Sequence, residues 1–254
     1  MNAIVLMLVI ITALFVLMKA VVVAMSGPLP LRQYVAFNLW FGMRPAIFAT
    51  LGAAARPGAG ELAARGARRF AAGALLFVAA RAAAASLPLA AARAVATPLA
   101  LVALSLMLHF GLLDLAAAFW RSRGVAAEPL FREPLRSASL SEFWSRRWNV
   151  GFAEMLAIAV NRPLRRPLGP TGALLASFLA SGLLHELAIS VPARGGYGLP
   201  TLYFAIHGLF VLAEKRRWIR PSRALTLAAL IVPLPLCFHL PFLRAVIWPM
   251  VGVG

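Results

Sequence analysis

Cysteine and acidic residues are scarce in this sequence of 254 residues. It has a single cysteine, Cys237, and only eight Asp and Glu against 25 Lys and Arg, for a formal net charge of +17. One cysteine excludes a disulfide framework and any cysteine-rich metal site. Charged residues make up 13% of the chain, about half the share found in soluble domains. The sequence therefore excludes an ordinary soluble globular domain.

Apolar residues are abundant, at 62% of the chain with a mean hydropathy of +0.85. This content also excludes a disordered basic tail, since such tails are poor in apolar residues. The net charge alone is compatible with nucleic-acid binding, but the apolar content favours a membrane. We expect the lipid bilayer, and no nucleic acid, as a partner.

Six stretches are long and apolar enough to span about 30 Å of hydrocarbon. They cover residues 3–25, 70–92, 94–120, 167–184, 195–213 and 224–248. The segment 26–69 mixes aromatics with arginines, as interfacial segments do, and a further span at 34–51 stays open. The sequence thus predicts one all-α polytopic integral membrane domain over 1–254, with about six to eight transmembrane helices. Its alanine-rich patches are interpreted as composition bias.

The first apolar stretch is interpreted as a retained helix. A cleaved signal peptide would carry positive charge ahead of it, and Met1-Asn2-Ala3 carries none. Lys19, near the end of this helix, is expected to extend its amine to the interface.

The distribution of basic residues predicts the orientation of the chain. Nine arginines lie in 121–166 and five basic residues in 215–223. The predicted loops on the other side of the membrane, 93–97 and 190–198, carry one arginine each. By the positive-inside rule, the basic loops are cytoplasmic and the N-terminus is outside.

Polar residues within the predicted spans are candidates for function, because burying them in lipid is costly. Ser177, Ser181 and His185 are spaced i, i+4, i+8 and share one helix face. Tyr203 and His207 form a similar pair on the next span. These residues are predicted to line a substrate chamber. The structural alternative is that the serines bond their own helix and the histidines make helix–helix contacts.

Two further ionisable groups are interpreted as structural. Glu186 lies about 100° around the helix from His185, and pairing with an arginine is the preferred interpretation. Arg81 and Asp114 are predicted to form a buried ion pair. No His-Glu-x-x-His, acidic triad or nucleophile elbow occurs, so we expect no metal site and no serine nucleophile.

Three segments resemble the wax synthases of the membrane-bound O-acyltransferase (MBOAT) superfamily. Residues 143–149, Phe-Trp-Ser-Arg-Arg-Trp-Asn, resemble the F-W-x-R-R-W-N motif. Residues 181–186 resemble S-G-x-x-H-E, and residues 204–214 resemble F-x-x-H-G-x-x-x-x-x-E. The specific match covers about 140–215. A weaker likeness to W-P-G-M lies at 40–43, where Phe41 replaces the proline.

This resemblance implies an MBOAT-like fold and acyl transfer from acyl-CoA, as co-substrate without another cofactor, to a long-chain alcohol. It implies that His185 and Asn149 are catalytic. A neutral imidazole suits removal of the alcohol proton, and an amide suits stabilisation of the thioester oxygen. Five residues are predicted to bind CoA: Arg146, Arg147, Trp148, Arg165 and Arg166. The four arginines suit its phosphates, or else they only follow the positive-inside rule.

Two alternatives stay open at this point. The acceptor hydroxyl can belong to a sterol, a diacylglycerol or a specialised metabolite. The chain can also be a transporter or membrane scaffold that makes no ester. The sequence specifies neither the acyl chain length nor the oligomeric state.

Overall fold

The computed structural model describes residues 1–253 and consists of helices joined by turns. The main helices are α1 (Ala3–Ser26), α2 (Leu31–Asn38), α3 (Ala59–Ser86), α4 (Leu89–Ser122), α5 (Val150–Ala193), α6 (Leu199–Lys215), α7 (Arg223–Cys237) and α8 (Leu240–Val251). A short helical segment at 140–147 precedes α5. No strand occurs within residues 1–253. The predicted all-α class is confirmed.

Four helices, α1, α3, α4 and α5, are long and apolar enough to cross a membrane, and α7 with α8 make a fifth candidate as a pair bent by 65°. Helix α6 occupies the predicted span at 195–213 and has 17 residues, about 26 Å of helix. The chain is therefore an integral membrane protein with four or five candidate spans. The number six to eight stays a prediction.

Helix boundaries differ from the prediction around the first arginines. Helix α3 ends at Ser86 and α4 starts after Pro88, because proline disfavours the helical conformation of the residue before it. The predicted loop at 93–97 is wrong, since it lies inside α4. Residues 34–51 comprise the end of α2 and a 3₁₀ turn at Pro45–Thr50, so the further span at 34–51 is not one helix.

Helix α5 begins within the predicted polar region 121–166 and is broken at Gly169. The glycine has φ 67° and ψ 174°, a conformation available essentially to glycine alone, and prolines flank it at 167 and 170. The break divides α5 into a first part at 150–168, which has arginines near its C-terminal end, and an apolar second part at 170–193. Arg165 and Arg166 therefore lie on a helix rather than in a loop.

The chain divides into two compact units. The first comprises Met1–Pro28 with Arg132–Ala245, and the second comprises Leu29–Phe131 with the chain from Val246 onward.

In the second unit, α3 and α4 pack closely through small residues. A Cβ added at Gly73 would lie 2.8 Å from the carbonyl oxygen of Ala103. Four alanines spaced along one face of α4 are almost completely buried: Ala92, Ala96, Ala100 and Ala103. Small residues at helix contacts let backbones approach in membranes. These four alanines therefore have a packing role in α4.

The buried acid of the second unit pairs differently from the prediction. Oδ2 of Asp114 accepts from Arg65 Nε at 2.9 Å and Arg69 Nη1 at 2.7 Å. Arg81 instead donates to the carbonyl of Met250 at 2.9 Å. Arg65 and Arg69 are one turn apart on α3, whereas Arg81 lies three turns further along, about 18 Å from Arg69.

The core of the first unit forms where segment 140–147 packs onto α6 and α7. Its buried members are Leu140, Phe143, Val211, Ala229 and Leu230. Partly buried Trp144 and Phe178 pack against them, so α5 closes the cluster. This packing holds the F-W-x-R-R-W-N segment against α5, α6 and α7.

Lys19 of α1 also belongs to the first unit. It is 1% exposed, and its amine lies over the Phe15 ring at 5.3 Å from the centroid. The expectation that Lys19 extends to the interface is therefore wrong.

Candidate active site

His185 lies near the end of α5 with one ring nitrogen fixed. Nδ1 is 2.7 Å from the carbonyl oxygen of Ser181. Because a carbonyl only accepts, Nδ1 carries the hydrogen and the neutral ring keeps its lone pair on Nε2. Nε2 makes no hydrogen bond to any part of 1–253. The tautomer leaves Nε2 able to take a proton.

Aromatic rings surround this imidazole. The Phe204 ring lies 4.3 Å from it and the Phe152 ring 5.9 Å, centroid to centroid. A π-helical turn, Glu186–Ser190, follows directly. Such turns are frequent at functional sites.

Asn149 sits at the junction between segment 140–147 and α5. It has a left-handed backbone, with φ 40°, and its Oδ1 accepts from the Phe152 amide at 3.2 Å. Asparagine tolerates this conformation better than most residues. Its side-chain Nδ2 donates to no group in 1–253. Asn149 thus caps the helix turn whose Phe152 ring contacts His185.

The predicted chamber residues divide into two groups. Ser177 donates to the Ala173 carbonyl at 2.8 Å, as the structural alternative for the serines expects. Ser181 is 4% exposed. Tyr203 and His207 are buried on α6 with their rings 4.1 Å apart. The Phe204 ring contacts both histidines, at 4.3 Å from His185 and 6.4 Å from His207.

Two glutamates connect the motif segments, because each accepts hydrogen bonds from the first turn of another helical segment. Glu214 of α6 is 8% exposed, and its oxygens accept from the amides of Leu140 at 2.8 Å and Ser141 at 2.9 Å. Glu186 accepts from the amide and hydroxyl of Thr201, both at 3.0 Å, in the first turn of α6. Carboxylates suit helix N-termini because unsatisfied amides point there. The preferred arginine pairing of Glu186 is wrong.

Beside Glu186, Gly182 lets α5 approach α6 closely. A Cβ added there would lie 2.7 Å from Cα of Thr201. The Ser-Gly-x-x-His-Glu segment therefore fixes both the helix contact and the position of His185.

The five residues predicted to bind CoA lie in different environments. Arg147 donates to Glu142 Oε1 at 2.6 Å and toward the carbonyls of Arg132 and Glu133. Trp148 stacks on Phe143 at 5.4 Å. Arg146, Arg165 and Arg166 are exposed. The exposed arginines are available to an anion, whereas the Arg147 guanidinium is held within the protein.

Glu142 completes the start of segment 140–147. Its amide donates to Ser139 Oγ at 3.0 Å, and its Oε2 accepts from the Ala138 amide at 2.8 Å. The Ala138 amide and the Arg147 guanidinium hold the pKa of this carboxyl below its usual range. The Ser-x-x-Glu spacing signals a helix start, so the sequence contains the information that locates this cap.

Part of the chain is similar in sequence to known proteins. Residues 127–206 match the profile of the membrane bound O-acyl transferase family. The chain is 37% identical over 111 residues to the probable long-chain-alcohol O-fatty-acyltransferase 1 of Arabidopsis thaliana. This match covers 39% of the chain and 33% of the relative. It is 32% identical over 129 residues to the long-chain-alcohol O-fatty-acyltransferase of Simmondsia chinensis, covering 44% and 36%.

These matches therefore span about a third of the length of the relatives. The family match includes Asn149, His185 and the part of α5 that lies between them. Over residues 127–206 the chain is thus similar to the membrane bound O-acyl transferase family, and over about two-fifths of its length it is similar to these two relatives.

Proposed function

We propose that the chain transfers a fatty acyl group from acyl-CoA to the hydroxyl of a long-chain alcohol. The observation that carries this proposal is the fixed tautomer of His185, whose Nδ1–H donates to Ser181 while Nε2 keeps a lone pair. The names of the relatives, which are long-chain-alcohol O-fatty-acyltransferases, support the substrate class.

His185 acts as the general base in this mechanism. Its Nε2 removes the hydroxyl proton as the alcohol oxygen attacks the thioester carbonyl carbon. The tetrahedral intermediate then expels the CoA sulfur, which takes the proton back from the imidazolium. An ester and CoA with a thiol result, and the enzyme returns to its starting state.

Asn149 stabilises the charge that develops on the thioester oxygen. Its Oδ1 is occupied by the Phe152 amide, so the side chain is oriented with Nδ2 as the available donor. A donor already in place costs no reorganisation during the reaction, which is why such groups contribute strongly.

The exposed arginines of the motif region bind the phosphates of CoA. Arg165 and Arg166 lie in the last turn before the break at Gly169, and Arg146 lies on segment 140–147. The planar guanidinium suits phosphate oxygens. Arg147 positions the segment through Glu142 rather than binding CoA itself.

The test is a product assay on membranes of a host that makes no wax ester. Wild-type and His185→Ala membranes receive labelled acyl-CoA with a long-chain alcohol, a sterol or a diacylglycerol, and esters are identified by mass spectrometry. We expect the alcohol ester from wild type and a loss of about 10²–10⁴-fold in His185→Ala. His109→Ala, a histidine substitution on α4, serves as the control and keeps its activity.

Unchanged turnover in a folded His185→Ala protein would refute the role of His185. Esters formed only with the sterol or diacylglycerol would refute the acceptor class. The absence of any ester from folded wild type would favour the transporter or scaffold alternative.

A further inference from the structure

Two buried polar atoms on neighbouring rings of the first unit have no hydrogen-bond partner. They are Nε1 of Trp144 and Nδ1 of His207. His207 is fully buried, and its ring lies 5.4 Å from the Trp144 ring with 49° between the planes. Unpartnered buried groups are rare in folded proteins, and an unseen water or ligand is a usual cause.

The two atoms have opposite hydrogen-bonding roles. The indole Nε1–H only donates. His207 Nε2 is 2.9 Å from the Ala229 carbonyl, so Nε2 carries the hydrogen and Nδ1 only accepts. A group that accepts one hydrogen bond and donates another would satisfy both.

The surroundings select a neutral ligand. Aromatic rings lie beside both atoms: Phe204 is 5.4 Å from Trp144, and Tyr203 is 4.1 Å from His207. No acidic or basic side chain is hydrogen-bonded or ion-paired to either atom within 1–253. A charge would therefore be desolvated without an opposite charge to compensate it, whereas two hydrogen bonds compensate the burial of a neutral hydroxyl.

We infer that Trp144 and His207 form a binding site for a neutral hydroxyl, which accepts from Trp144 Nε1–H and donates to His207 Nδ1. Two sources share this chemistry, an ordered water and the hydroxyl of a long-chain alcohol. The alcohol source rests on the proposed function, and it makes the site a docking position next to Phe204, whose ring also contacts His185.

The direct test observes the indole proton of Trp144 in protein labelled with ¹⁵N-tryptophan. Trp144→Phe assigns the resonance, and Trp218→Phe, at an exposed turn, is the matched control that must leave it in place. His207→Gln keeps a donor for Ala229 but removes the acceptor nitrogen. We expect a downfield, exchange-protected Trp144 proton in wild type that moves upfield in His207→Gln.

Titration separates the two sources. Dodecanol shifts the Trp144 resonance when the alcohol occupies the site, and dodecane, which lacks the hydroxyl, does not. With an ordered water, neither additive shifts the resonance, and the difference between wild type and His207→Gln remains.

The contrary result is an upfield Trp144 proton that His207→Gln does not move. This would show the indole N–H resting on an aromatic face and would overturn the site. The readout needs no turnover, so a protein that forms no ester still tests the site, and failure of the proposed function is seen separately.

Discussion

Asn149 combines two roles that a single substitution can separate. Its Oδ1 caps the first turn of α5, and its Nδ2 is the proposed donor to the thioester oxygen. The left-handed backbone adds a third constraint, because few residues other than glycine, asparagine and aspartate adopt it readily. Loss of activity in Asn149→Ala would therefore mix capping, backbone strain and catalysis.

Asn149→Asp isolates the catalytic role. Aspartate keeps a capping oxygen and tolerates the backbone, but it cannot donate. We expect a free energy of unfolding within about 0.5 kcal/mol of the wild-type value and turnover lower by about 10²–10³-fold. Thermal unfolding and single-substrate kinetics measure the two effects. An Asn149→Asp enzyme with normal turnover would remove Asn149 from the mechanism.

Glu142 predicts a pH dependence of stability. Its folded pKa is lowered by the Ala138 amide and Arg147, so the carboxylate stabilises the fold. That contribution is complete above its ordinary pKa of about 4.5 and is lost as the pH falls below this value through the lowered folded pKa. Melting temperature measured from pH 6 to 3 should fall more in wild type than in Glu142→Gln.

Glu133→Gln is the matched control for this titration. Glu133 pairs with Arg136 on the surface, where both side chains are more than half exposed, so its removal should leave the pH profile unchanged. Equal profiles for wild type and Glu142→Gln would contradict the prediction.

At the scale of elements, Glu214 ties α6 to the start of segment 140–147. Its two oxygens satisfy two helix-start amides within a nearly dry core. Glu214→Gln keeps only one acceptor and places an NH₂ group near a backbone N–H. We expect a loss of about 2–3 kcal/mol in stability, with faster hydrogen exchange at Leu140 and Ser141.

Exposed Glu61 provides the comparison for Glu214. Glu61→Gln on α3 should change stability by less than about 0.5 kcal/mol. If both variants melt alike and Leu140 stays protected, the Glu214 carboxylate does not hold the segment.

The break in α5 predicts an unusual cost for a small substitution. Nothing lies within 4 Å of a Cβ added at Gly169, yet its φ of 67° strains any other residue. We expect Gly169→Ala to destabilise by about 1–3 kcal/mol. Gly60→Ala in α3 also meets open space but has helical backbone, so it should stabilise slightly. Thermal melting of both variants in one detergent decides the comparison.

Periodicity and hydropathy predicted the helical class and the apolar lengths, but not where helices break. Pro88 and Gly169 set those breaks through local sterics, which a window of mean hydropathy does not register. The spacing of Ser181 and His185 predicted one helix face correctly. The partners of Glu186 and Asp114 were missed because they depend on how helices pack, which spacing along one helix does not specify.

At the scale of the whole molecule, the basic loops predict which side of the membrane each turn occupies. The single cysteine, Cys237, is buried, so labelling of introduced cysteines has low background. In a Cys237→Ala chain, we expect an impermeant maleimide to label Tyr197→Cys in intact cells and Ala138→Cys only after permeabilisation. Both native side chains are exposed. The opposite labelling would invert the predicted orientation.

The Glu214 cap also has a consequence for how the chain is made. The amides of Leu140 and Ser141 donate to the carboxylate of Glu214, which lies 74 and 73 residues later in the sequence. At about 5–20 residues per second, the ribosome delivers that partner roughly 4–15 s afterwards. During this interval segment 140–147 has no carboxylate acceptor for its first amides. Its assembly is therefore completed only after α6 has been synthesised, and a nascent chain stalled before residue 214 should be the form that quality-control proteases remove.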